Sequence, residues 1–96
     1  MVKKEYKEKI IKLINKHLPN AKIYLFGSRA TNQEQDTSDI DIAIDLGKPA
    51  PQHKIALIKL SIDDLNIPLD IDIVDIYKIP ETFKKDINKE KIIWKN

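Results

Sequence analysis

The chain contains no cysteine. That excludes a disulfide framework and any thiolate metal site, and it fits a reducing cytoplasm, the compartment expected for it. No apolar run approaches the roughly 20 residues needed to span a bilayer. The opening "MVKKEYKEKI" carries charge with no apolar stretch behind it, so no secretory signal is expected. Arginine is nearly missing, with Arg29 alone against sixteen lysines. No repeat, low-complexity segment or linker divides the 96 residues. Residues 1–96 therefore read as a single domain with one core. A domain of this size buries little more than ~60% of its unfolded surface, so its margin of stability is thin and a partner would help it.

The formal net charge of +2 is too small to imply nucleic-acid binding. Its distribution says more. Residues 1–22 carry seven lysines against Glu5 and Glu8, while residues 34–45 hold Glu34, Asp36, Asp39, Asp41 and Asp45 with no base. Residues 63–75 repeat the pattern with Asp63, Asp64, Asp70, Asp72 and Asp75. If the two acidic blocks meet in space, they repel unless a cation lies between them. The lysine-rich start, interspersed with Glu, reads as a solvated helix face.

Periodicity organises the chain. Tyr6, Ile10, Leu13, Ile14 and His17 recur at helical spacing and predict a helix over 3–17. "KIYLF", 22–26, predicts a strand, and Gly27-Ser28 a turn with Ser28 capping a short helix over 29–33. Residues 39–46 alternate Ile40, Ile42 and Ile44 against Asp39, Asp41 and Asp45, which predicts a strand. A helix over 52–65 follows, with Ile55, Ile58, Ile62 and Leu65 as its stripe. Then come a strand over 69–76 and a helix over 81–90. "KIIWKN" is expected as a tail, with Ile93 and Trp94 packed back on the body. This order predicts an α/β (α+β) fold, a small mixed β-sheet with helices packed on one side.

Acidic strand faces often do no more than deter edge pairing. Two features point further. Strands disfavour Asp, and "DID" occurs at 39–41 and again at 70–72. Neighbouring strands presenting Asp on one face place like charges a few ångströms apart. Hard oxygen ligands of this kind suit Mg²⁺ or Mn²⁺. An EF-hand loop is excluded, because the positions that need Gly and Glu hold Ile44 and Ala50. The Gly27-Ser28 turn after a strand suits phosphate: glycine lets the backbone approach, the hydroxyl donates, and a following helix offers N–H groups. His17 and His53 have no ligand-spaced partner, and Tyr6, Tyr24 and Tyr77 read as packing or surface residues.

Taken together, Gly-Ser-x10-Asp-x-Asp and a later strand Asp resemble the nucleotidyltransferase superfold shared by DNA polymerase beta. The likeness is strongest to minimal nucleotidyltransferase antitoxins, and it covers nearly the whole chain: "YLFGSRA", "SDIDIAI", "LDIDIVDI" and "KIIWKN". The resemblance implies that Asp39, Asp41 and Asp72 are catalytic and bind two Mg²⁺ ions (Mn²⁺ as a substitute), with ATP as substrate. Asp70 is the alternative third carboxylate, and Asp75, by strand parity, points to the other face. Gly27 and Ser28 match the phosphate-gripping turn, with Arg29 assisting. The resemblance further implies AMP transfer to a hydroxyl, a tyrosine, on a neighbouring-gene partner, a HEPN-family RNase toxin, with the acceptor supplied by that partner. The alternatives are neutralisation of the partner by contact alone, and catalysis on a small molecule or RNA.

Overall fold

A computed structural model describes all 96 residues. Helix α1, Lys4–His17, buries Ile10 and Ile14 from the stripe read above. Strand β1, Lys22–Phe26, leads through a loop to β2, Ile40–Asp45. Helix α2, Gln52–Ser61, tightens into a 3₁₀ turn over Ile62–Leu65 and ends where Asn66 adopts a left-handed conformation, φ 56°. Strand β3, Ile71–Asp75, helix α3, Glu81–Glu90, and strand β4, Ile92–Lys95, complete the chain.

The sheet order is β3-β2-β1-β4. β1 runs antiparallel to β2 and β4, while β2 and β3 are parallel. The parallel pair requires a crossover, which α2 supplies. The small mixed sheet is therefore as expected.

Its covering is not one-sided. Ile23 and Leu25 of β1, and Ile40, Ile42 and Ile44 of β2, pack with Ile10, Ile14 and Ile58 of α1 and α2. The intervening Tyr24, Phe26 and Ala43 form a second cluster with Ile87 of α3 and Ile76. β1 is apolar on both faces, so it needs cover on both, and α3 provides the second layer.

Two further expectations are corrected. "KIIWKN" is mostly strand: Ile92 and Ile93 pair with Leu25 and Tyr24. Its run of β-branched and aromatic residues suits an edge strand of only four residues. Trp94 packs on the main core, but Ile93 stays 51% exposed. Residues 29–33 form turns rather than a helix. There the Ser28 carbonyl accepts from both Thr31 and Gln33, and Asn32 sits at φ 58°, which stops a helix from propagating. No helix is long and apolar enough to cross a membrane.

Candidate active site

The β2 and β3 registers place Asp41 beside Asp72, and the β1 register places Asp41 opposite Phe26. Phe26, Asp41 and Asp72 thus form one row on the face that α3 partly covers. Asp39 lies one alternation before Asp41, outside the end of β2. The Phe83 ring of α3 meets Phe26 edge-on at 5.7 Å, so an aromatic pair borders the carboxylate row.

Electrostatics bear out the crowding. Burial pushes the Asp41 carboxyl up to about 6, and the charges of Asp72, Asp39 and Glu90 push in the same direction. Three carboxylates therefore act on Asp41 here. They do not already form a ligand cage, because no three acidic or imidazole side chains close to metal-binding positions. The donor set nevertheless fits a hard divalent cation. It is all oxygen, it carries excess negative charge, and its half-buried member is disfavoured as a bare anion.

The turn presses directly on this row. Gly27 has φ +76°, and a Cβ there would lie 2.3 Å from Asp41 Oδ2. Only glycine tolerates both the conformation and the approach. The Gly27 carbonyl accepts from the Ala30 N–H at 3.0 Å, and the Ser28 carbonyl accepts from the Gln33 N–H at 2.9 Å. These bonds close the carbonyl side of the turn.

Arg29, expected to assist at the Gly27-Ser28 turn, is engaged with backbone carbonyls. It is buried, and its guanidinium donates to the carbonyls of Ser38, Met1, Gln35 and Asp36. A planar fork with five donors suits that task of pinning the loop that leads into β2.

The remaining aspartates separate by face. Asp75 is buried among the core residues and accepts from the Ala50 N–H at 2.8 Å and the Tyr77 N–H at 2.9 Å. Asp45 accepts from the Gly47 N–H and the Tyr24 hydroxyl, at the far end of β2 from the turn. Asp70 is exposed. Its carbonyl accepts from the Ile40 N–H, and with Asp39, Asp63 and Asp72 it lines a groove of about 450 Å³.

One site residue escaped the sequence reading. Glu90, the last residue of α3, accepts the Gly27 N–H on Oε1 at 2.9 Å. The available signal was a glutamate at a helix C-terminus, where the helix dipole disfavours an anion.

A glycine-serine turn against a row of strand carboxylates, on a small mixed sheet, suits a protein that transfers nucleotidyl groups. Comparison agrees: residues 8–96 match the family described as Polymerase beta, Nucleotidyltransferase, and the chain belongs to that family. A Methanocaldococcus jannaschii protein carrying the name "Putative protein adenylyltransferase" is 30% identical over 89 residues, which is 92% of each chain. Among solved structures, a toxin–antitoxin crystal structure with AMP-PNP superimposes with a TM-score of 0.77 at 25% identity, covering 92% of this chain and 71% of that one. A Shewanella oneidensis complex of a tri-AMPylated HEPN toxin with its MNT antitoxin gives a TM-score of 0.71 at 23% identity, covering 93% and 68%. That last likeness is one of fold.

Proposed function

We propose that this chain transfers AMP from ATP to a hydroxyl, a tyrosine, of a HEPN-type toxin, and that it acts as the toxin's antitoxin in the cytoplasm. The observation carrying this reading is the Asp41–Asp72 pair held in register beside the Gly27-Ser28 turn. The names of the relative and of the two structural neighbours support it.

Asp39, Asp41 and Asp72 would hold two Mg²⁺ ions. Bound there, the metal neutralises the triphosphate and lowers the pKa of the acceptor hydroxyl. The turn around Gly27 and Ser28 grips the β- and γ-phosphates. The acceptor oxygen bonds to the α-phosphorus in line, the bond to pyrophosphate breaks, and Asp72 receives the hydroxyl proton. The role of the row is to hold these groups in line and to accept charge.

A second reading is neutralisation of the partner by contact alone. The test is intact mass of the partner encoded next door after incubation with this chain, ATP and Mg²⁺. A gain of AMP units, absent with an Asp39→Asn/Asp41→Asn variant, is expected. A stable complex with no mass gain would replace transfer with contact neutralisation.

A further inference from the structure

We propose that Glu90 is a positioning residue for the nucleotide: it fixes the Gly27 peptide so that the following amides and the Ser28 hydroxyl are presented to the triphosphate. This rests on the nucleotidyl-transfer reading above. Glu90 reaches across 63 residues of sequence to accept the Gly27 N–H at 2.9 Å. That N–H is the first one beyond β1, at the hinge where strand becomes turn.

Apart from that bond, the placement is unfavourable for an anion. Glu90 ends a helix, where backbone carbonyls concentrate negative potential. It lies close enough to Asp41 to help raise that carboxyl. It has no ion-pair partner, since neighbouring Lys91 sits 4.2 Å over the Tyr24 ring and bonds Asn88 Oδ1. Local rules are broken in this way where a function compensates.

What the bond does follows from the turn. Gly27 lacks a Cβ and is the most freely rotating residue in the site. Its carbonyl is tied to Ala30 and Thr31, and its amide to Glu90. Held at both ends, the residue cannot swing away from Asp41. The Ser28 and Arg29 amides, which bond no group within the chain, keep one direction. Removing Glu90 frees the hinge and leaves the rest of the row in place.

The experiment compares Glu90→Ala, Glu90→Gln and Glu90→Asp with the wild type. Binding of ATP with Mg²⁺ is measured by calorimetry, and exchange of the Gly27 amide by NMR. Thermal unfolding confirms that each variant is folded. Alanine is expected to weaken ATP binding about fivefold to tenfold and to speed Gly27 exchange. Glutamine, whose amide oxygen accepts the same bond, should stay within about twofold. Aspartate, one methylene short, should behave like alanine and tests the idea should alanine fail to fold. Unchanged or tighter binding in the alanine variant overturns the proposal, as does a glutamine loss equal to alanine's, which would mark Glu90 as a charge-dependent ligand. If the wild type itself fails to bind ATP, the nucleotidyl-transfer reading falls and this inference falls with it.

Discussion

Replacing Asp41 with Asn should stabilise the metal-free protein at neutral pH, although Asp41 lies at the centre of the candidate active site. The folded carboxyl titrates at about 6 instead of 3.8, chiefly because burial disfavours the anion and secondarily because Asp72, Asp39 and Glu90 repel it. A rise of about two units corresponds to about 3 kcal/mol. Partial solvent access screens the repulsion, so about 1–2 kcal/mol is the realistic gain. The sign follows from linkage. A raised folded pKa means that the folded state holds the proton longer, so this contribution to stability is present below pH ~4 and is lost as pH rises through ~6. The Asn variant never pays that penalty. Its advantage over wild type should be near zero at pH 4 and complete above pH 7. Urea unfolding in EDTA at both pH values measures it, and in a 96-residue domain the gain amounts to roughly 4–8 °C per kcal/mol in melting temperature. Millimolar Mg²⁺ should then stabilise wild type and leave the variant unmoved, reversing their order. Equal destabilisation of Asp41→Asn at both pH values would refute the account, since it would mean that Asp41 is a structural acceptor and not a repelled charge.

Two other pairs of variants separate the roles assigned here. Asp72→Asn should cut AMP transfer at least about a hundredfold, while Asp70→Asn stays within about fivefold, as read by intact mass of the acceptor over time; the opposite order would make Asp70 the third carboxylate. Arg29→Ala should lose about 2–4 kcal/mol in urea unfolding, because three loop carbonyls and that of Met1 lose their donor. Arg29→Lys should recover less than half of that. If Arg29→Ala instead keeps its stability and loses ATP affinity, the guanidinium belongs at the phosphates after all.

Much of the framework was legible because its residues obey strict periods. Ile40, Ile42 and Ile44 alternate without exception, and all three are fully buried. Ile55, Ile58, Ile62 and Leu65 marked the inward stripe of α2 and its 3₁₀ extension, all joining the main core. Strand parity alone separated Asp75 from Asp72, and the structure puts Asp75 among core residues as a cap for two backbone N–H groups. What stayed hidden depended on contacts between distant segments. Arg29 stands next to the glycine-serine turn in sequence, but its partners are carbonyls of the loop and of Met1. Nothing local tells a guanidinium that grips phosphate from one that pins a loop. The edge strand at 92–95 has only four residues, too few to show a period, and it exists because β1 offers it an unpaired edge.

The two faces of the sheet explain why the chemistry sits where it does. Against α1 and α2 the strands present isoleucines, and the one carboxylate in that layer, Asp75, is taken up by two backbone N–H groups. Against α3 the strand rows change from one to the next: Tyr24 and Ala43 lie under Ile87, and one row further along come Phe26, Asp41 and Asp72. The helix thus buries one row and leaves the next half-covered. Half-cover raises Asp41 while keeping the row open to a ligand. It also brings the end of α3, and with it Glu90, onto the turn beside Asp41. Full cover would desolvate the carboxylates until they stayed protonated, and no cover would leave them too well hydrated to need a cation. The short α3, ending at Glu90 where β4 begins, sets the intermediate condition.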